Sequence, residues 1–278
     1  MKTDSSPLLP SVDVDLGPSF LVDTHCHLDM EVYQDDLHEV LDRAFSIPLC
    51  RIVSVGINLT SSAKCIELAR RNERVAATIG IHPHDVDTLT DQDYRALERL
   101  YRDNVAFVHA IGEIGLDYYR QHATTTNQRR HFRRQLDMAH DWGLPIVIHN
   151  RDADDDLLEV LSQAKPLDHG GVMHCFSGDM SLAEKVLDLG LTISLTGVIT
   201  FKNSERLQDV ARKIPLTSMV LETDGPFLAP QPFRGKRNEP ALVALVAKKI
   251  ADLRHMATAE VARQTTKNAE TLFRFDKS

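Results

Sequence analysis

Phe20-Leu-Val-Asp-Thr-His-Cys-His27 is the stretch on which the fold turns. A short apolar run passes straight into histidines, with none of the glycine-rich loop that follows the first strand of most doubly wound open sheets. Seven further runs of about strand length come after it: Arg51-Ile-Val-Ser-Val-Gly56, Val75-Ala-Ala-Thr-Ile-Gly-Ile81, Val105-Ala-Phe-Val-His-Ala-Ile111, Pro145-Ile-Val-Ile-His149, Gly171-Val-Met-His174, Leu191-Thr-Ile-Ser-Leu195 and Ser218-Met-Val-Leu-Glu222. Most are rich in Val and Ile, as strands buried on both faces should be. Between them the apolar residues move to helical spacing. Leu37, Val40, Leu41 and Ala44 share one stripe, Phe132, Leu136 and Ala139 another, and 155–164, 182–189 and 241–253 repeat the pattern. Strand and helix alternating eight times is the signature of a parallel sheet, and eight such units closing on themselves make a barrel of about 250 residues. The expectation is an α/β protein, a single-domain (β/α)8 TIM barrel over residues 20–278, behind a flexible Ser-, Pro- and Asp-bearing leader at 1–19.

Composition narrows the function classes. The chain has 278 residues, 42% hydrophobic and 26% charged, with 32 Lys plus Arg against 40 Asp plus Glu, so the formal charge is −8. That is ordinary globular composition, and it excludes binding through a uniformly basic surface, though not a local basic rim. The four cysteines, Cys26, Cys50, Cys65 and Cys175, form no CxxC pair and are too few for a disulfide framework. No run of about 18 apolar residues occurs, and the first residues hold no apolar stretch of signal-peptide length. A monomer in a reducing, cytoplasmic setting, with no membrane partner, is the expectation.

In a (β/α)8 barrel the C-terminal strand ends and the loops after them carry the active site. His25 and His27 end the first run and, two apart on a strand, point the same way, with Cys26 between them turned elsewhere. Alone, a His-x-His is as often a packed pair as a metal grip. His149 and His174 each close an apolar run, where a lone histidine is usually a hydrogen-bonded structural residue. Glu113, in Ile111-Gly-Glu-Ile-Gly-Leu-Asp117, and Asp224, in Leu221-Glu-Thr-Asp-Gly-Pro226, end two more. A carboxylate there costs several kcal/mol unless paired or metal-bound; a structural ion pair with a helix is the plainer explanation of either one. The conjunction outweighs the single cases. Four histidines and two carboxylates on one rim, from five strands, supply the nitrogens and hard oxygens that a two-metal hydrolytic site needs.

Other rim residues have two readings. His82, with His84 in Gly80-Ile-His-Pro-His84, suits a substrate contact or a loop cap. Arg151 suits a phosphate oxygen or a salt bridge to Asp152 or to Asp154–Asp156. Asp23 shares the parity of His25 and His27, which fits an outer partner or a buried layer residue. His109 lies deeper and reads as core. Arg129, Arg130, Arg133 and Arg134 read as a solvated helix face. Arg234-Gly-Lys-Arg237, after the eighth strand, is placed to hold a phosphate backbone, with Arg234 a substrate-binding candidate.

These segments resemble the TatD family of metal-dependent deoxyribonucleases, within the amidohydrolase-like superfamily. The likeness rests on Asp23-Thr-His-Cys-His-Leu-Asp29, Gly80-Ile-His-Pro-His84, Gly112-Glu-Ile-Gly-Leu-Asp-Tyr-Tyr119, Pro145-Ile-Val-Ile-His-Asn-Arg-Asp-Ala153, Met173-His-Cys-Phe-Ser-Gly178 and Glu222-Thr-Asp-Gly-Pro-Phe-Leu-Ala-Pro230, in order along nearly the whole chain. The resemblance implies two divalent ions: one on His25, His27 and Asp224, the other on His149 and His174, bridged by Glu113. Zn, Mn, Ni or Co suit such ligands, and Mg in excess. It further implies hydrolysis of DNA phosphodiesters from a 3′ end, preferably on single strands, with Asp224 and Glu113 catalytic. The chain departs from the family at Gly225, where serine is usual, and in its leader. Two other readings compete: hydrolysis of amides or esters, such as aminoacyl esters, as in related barrels; and a non-catalytic, metal-stabilised binding protein, which requires an inert site with an intact ligand shell.

Overall fold

The computed structural model describes residues 14–275 apart from Gln121 and Lys165. Eight strands run in chain order around a parallel sheet: β1 (Leu21–Cys26), β2 (Leu49–Val55), β3 (Val75–Ile79), β4 (Val108–Asp117), β5 (Ile146–Arg151), β6 (Gly171–Met173), β7 (Thr192–Leu195) and β8 (Met219–Leu221). Helices follow them in turn: α1 (Leu37–Ser46), α2 (Leu59–Arg71), α3 (Asp91–Arg102), α4 (Thr125–Trp142), α5 (Asp154–Ser162), α6 (Met180–Asp188), α7 (Glu205–Lys213) and α8 (Val243–Arg254), with a ninth, α9 (Thr258–Phe273), at the end. This is the (β/α)8 barrel. Beyond β8 it closes through a single parallel bridge between Cys26 and Gly225, flanked by His27 N donating to Gly225 O at 2.7 Å and Asp224 N to His25 O at 2.9 Å. None of the described helices is long and apolar enough to cross a membrane.

Two apolar layers hold the wall in place. Outward-facing strand residues such as Ile52, Ile79, Ile111, Ile148, Ile193 and Leu221 pack under the helices, whose stripes supply Val40, Leu97, Phe132, Leu136, Leu157 and Val186. Burying each such side chain stabilises by roughly 1.5–3 kcal/mol relative to exposure. A separate cluster takes Val or Ala from seven strands, among them Val22, Val53, Ala76, Ala110, Val147, Val172 and Val220, and joins Ala269, Leu272 and Phe273 of α9. These small side chains fill the barrel interior, and α9 stoppers one end. His109 belongs there, its Nδ1 3.0 Å from Phe273 O, as a core residue rather than a site residue. Of the leader, residues 1–13 lie outside the described residues; Leu16 is buried and Val14 packs on the core.

β4 departs from the sequence expectation. Instead of covering 105–111 and ending at Glu113, it starts at Val108 and stays paired with β5 as far as Asp117↔Arg151. Gly112 and Gly115 look like loop punctuation, yet Gly115 is inside the strand because β5 crosses too close for a side chain. A Cβ there would lie 2.0 Å from the His149 carbonyl oxygen, on a backbone at φ +144°. Close backbone approach is one of the reasons a strand keeps a glycine. Gly115→Ala must therefore separate β4 from β5 beside Glu113 and His149. We expect a loss of about 3 kcal/mol or more in urea unfolding, at the upper end of overpacking costs; a loss below about 1 kcal/mol would contradict the close packing.

Candidate metal centre

The closing seam puts the two ends of the chain's barrel together, and the donor atoms follow from it. His25 is in β1 and His27 one residue past it; their Nε2 atoms are 3.3 Å apart. Asp224 Oδ1 lies 3.8 Å from the first and 3.5 Å from the second. The seam is clamped by Asp23, whose buried carboxylate accepts hydrogen bonds from Thr223 N at 2.9 Å, Thr223 Oγ1 at 2.6 Å and His25 N at 3.3 Å. Burial pushes the Asp23 carboxyl up to about 8, against the pull of those hydrogen bonds. Asp23 is thus an outer partner that sets the β1 and β8 ends in register.

Glu113 stands at the centre. Its carboxylate oxygens lie 3.5 Å from His25 Nε2, 3.7 Å from His27 Nε2, 2.7 Å from His149 Nδ1, 2.9 Å from His174 Nε2 and 3.5 Å from His82 Nε2. Burial alone would raise its pKa, but the imidazoles of His174, His82 and His149 hold it well below the usual carboxylate range. Asp224 is likewise lowered, burial being outweighed by His27, His174 and His25. His174 is raised well above the ordinary histidine value, its desolvation overcome by Glu113 and Glu222. His25 is lowered, by burial first and then by the charge on His174, against which its ring stacks at 3.9 Å. Stacked imidazoles so close share one positive charge poorly.

Three triads of ligand atoms each lie within 4.8 Å of one another: His25, His27 and Asp224; His25, Glu113 and His174; His82, Glu113 and His149. Imidazole nitrogens face imidazole nitrogens and carboxylates across these spaces. Buried lone pairs converging in this way fit divalent cations, and the nitrogen-plus-carboxylate set suits Zn, Mn, Co or Ni. All six sequence-predicted ligands meet here.

Of the remaining candidates, His82 comes closer than expected. Its Nδ1 accepts the His84 backbone N–H at 3.2 Å, the loop-cap role, while its other nitrogen joins the Glu113 cluster. Arg151 borders the mouth cavity, of about 660 Å³, together with Arg120, and stacks over Tyr119 with its guanidinium carbon 3.9 Å from the ring centre. Arg234 is not in that wall; it lies over Phe201 at 4.4 Å. Arg237 is structural, paired with Asp36 at 2.6 Å and Glu239 at 2.9 Å. The helical arginines are surface groups: Arg129 pairs with Asp156 and Glu159, and Arg134 with Asp91.

Gly225 has a spatial reason. A Cβ there would come 2.7 Å from Tyr33 Oη and 3.0 Å from Cys26 Sγ. Tyr33 Oη donates to Asn238 O at 2.5 Å, so a tyrosine hydroxyl holds the space that a serine side chain would need.

Two carboxylates escaped the sequence reading. Asp117 Oδ2 is 3.2 Å from His149 Nε2 and 2.9 Å from His84 Nε2, and its Oδ1 accepts the backbone N–H groups of Tyr119 and Arg120. Glu222 is buried, with Oε1 3.4 Å from His174 Nδ1 and 2.6 Å from Cys175 N. Such partners fix the ring orientation of a ligand histidine and raise its basicity. A signal for both was present: each shares strand parity with a predicted ligand, Asp117 with Glu113 and Glu222 with Asp224.

A parallel (β/α)8 barrel with this cluster at its strand ends is the scaffold of a metal-dependent hydrolase. The sequence profile described as TatD related DNase matches residues 22–274. YabD of Bacillus subtilis, named an uncharacterized metal-dependent hydrolase, is 40% identical over 256 residues, 92% of this chain and 100% of YabD. YcfH of Escherichia coli K12, named in the same way, is 39% identical over 262 residues, 93% of this chain and 97% of its own length. The crystal structure of YJJV, a TatD homologue of Escherichia coli, superposes with a TM-score of 0.87 at 31% identity, covering 91% of this chain and 98% of that one. The chain belongs to the TatD family of metal-dependent hydrolases.

Glu222→Gln keeps the acceptor for Cys175 N but removes the charge behind His174. We expect metal affinity, read by competition with a chromophoric chelator, to fall about 10–100-fold with the melting profile retained; unchanged affinity would make Glu222 a packing residue only.

Proposed function

We propose that this protein is a metal-dependent deoxyribonuclease of exonuclease type, removing nucleotides from the 3′ end of single-stranded DNA. The observation that carries the reading is Glu113, whose Oε2 faces His25 and His27 at 3.5 and 3.7 Å while its Oε1 faces His149 and His174 at 2.7 and 2.9 Å, in a cavity whose rim also presents Arg120 and Arg151. That arrangement joins a hydrolytic centre to cations suited to a polyanion. The family profile, described by its relation to DNases, supports the same substrate class.

In this reading His25, His27 and Asp224 would hold one ion and His149 and His174 a second, with Glu113 available to both. What divalent ions supply in such a centre is Lewis acidity and a nucleophile available near neutral pH. The chain's own groups do the rest. Asp224, the carboxylate nearest the mouth, takes up the proton as water adds to phosphorus; the phosphorus–oxygen bond to the leaving alcohol breaks, and that oxygen takes the proton back from Asp224. Asp117 and Glu222 hold His149 and His174 in orientation. Arg151, braced on Tyr119, meets phosphate oxygens and offsets their charge.

The test is digestion of a 5′-labelled single-stranded oligonucleotide with Mg, Mn or Zn, beside an EDTA control and Asp224→Asn. A ladder shortening from the 3′ end is expected, lost with EDTA and at least about 10³-fold slower in the variant, the scale on which a key catalytic group acts. No shortening with any metal, alongside turnover of an amide or carboxylic-ester panel, would replace the nuclease reading with amide or ester hydrolysis.

A further inference from the structure

The mouth cavity does not end at the ligand cluster. On one side it shares Ile57 and His84 with a cavity of about 690 Å³ at the start of α2; on the other it shares Met30 and Phe227 with one of about 710 Å³ between the loops after β1 and β8. The two arms are unlike. The first carries Asp29, Asp85 and Asp87 against Lys64. The second is apolar, with Met30, Val32 and Phe227, and brings Lys236 against Glu31, its Arg237 being already paired with Asp36 and Glu239.

Phe227 is the hinge between mouth and second arm. It is 49% exposed, although large apolar side chains of this fold are otherwise mostly covered, and Val32 beside it is 48% exposed. Its ring centre lies 6.1 Å from that of His27, at 70°. Its backbone is pinned to the ligand loop: Phe227 N donates to Asp224 O at 2.8 Å, and Phe227 O accepts from Asn238 Nδ2 at 2.6 Å. Arg237 donates to Val32 O at 2.7 Å and to Asp36, which fastens the opposite wall. The arm's walls are therefore anchored through backbone, and the Phe227 ring stands exposed beside the cluster, 6.1 Å from the His27 ring.

Resting on the deoxyribonuclease reading, we infer that this second arm is a nucleotide subsite: Phe227 stacks the base adjoining the scissile phosphate, and Lys236 faces the next phosphate. A single-stranded polyanion follows a cationic groove with aromatic platforms. It avoids the first arm, where Asp29, Asp85 and Asp87 outnumber Lys64. The strand thus lies to one side of the metal centre, and its end stops there. A mouth open to chain on one side only acts on termini.

The test is fluorescence anisotropy of a labelled single-stranded dodecamer in the Asp224→Asn background with Mn, over a salt series. Phe227→Ala is expected to weaken binding about tenfold or more, with Phe227→Trp staying within about threefold of its parent, since any base stacks on any aromatic face. Lys236→Gln should shallow the salt dependence by about one phosphate contact, a slope change of roughly 0.7, while Lys64→Gln leaves it alone. If the unsubstituted enzyme digests DNA but Phe227→Ala binds as its parent does, or Phe227→Trp loses as much as Phe227→Ala, the stacking subsite is wrong and the nuclease reading stands. Equal slope changes for Lys64→Gln and Lys236→Gln would show a strand crossing both arms and overturn the one-sided path. Absence of both DNA binding and digestion would remove the nuclease reading, and this inference with it.

Discussion

Glu113 is a buried carboxylate within 4 Å of five imidazoles, and the site is arranged around that constraint. A charge in that position costs several kcal/mol unless it is met by hydrogen bonds and opposite charge. The histidines meet its charge in full only when protonated, a neutral ring offering one N–H donor, and stacked rings such as His25 and His174 are not readily protonated together. Cations between the carboxylates and the imidazoles resolve the conflict, because neutral imidazole is then the form required. The same reasoning explains the outer carboxylates. Asp117 and Glu222 sit behind the two histidines nearest Glu113 and hold each ring towards the centre.

The barrel supplies the rigidity that such a cluster requires. Its seam is short, one bridge and two flanking backbone hydrogen bonds, and all three lie on the ligand segments of β1 and beyond β8. Closing the sheet and assembling the His25, His27 and Asp224 triad are therefore one event. Asp23 ties them across the seam through Thr223, and Tyr33 occupies the space beside Gly225 from the loop after β1. At the opposite wall, Gly115 lets β4 and β5 approach closely enough for His149 to reach Glu113. The site's precision comes from close backbone contacts rather than from loops free to adjust.

Much of this was legible in the residues alone. Apolar runs ending in histidine and carboxylate indicated both the barrel and its ligand rim, because strands buried on two faces leave little room for polar residues except at their ends. The six predicted ligands converge, and His109 and the arginines of α4 are as read. What stayed hidden depends on depth and register. Asp117 lay beyond a strand end placed too early, since glycines demanded by β5 looked like a turn. Glu222 takes its partners His174 and Cys175 from a distant segment, which parity hints at but local spacing does not specify, whereas Asp23 has the outer-partner role that was one of the two its parity suggested. Arg234 and Arg237 formed one basic motif in sequence, but the loop sends them in different directions, one onto Phe201 and the other into an ion-pair network with Asp36 and Glu239.

The most direct measurement is a crystal structure of Mn- or Zn-loaded protein with anomalous scattering recorded at the metal edge. Two peaks about 3.5–4 Å apart are expected, as in other two-metal centres. One should lie on His25, His27 and Asp224, the other on His149 and His174, with Glu113 touching both. A single peak, or peaks away from Glu113, would contradict the shared carboxylate and with it the proposed hydrolytic centre.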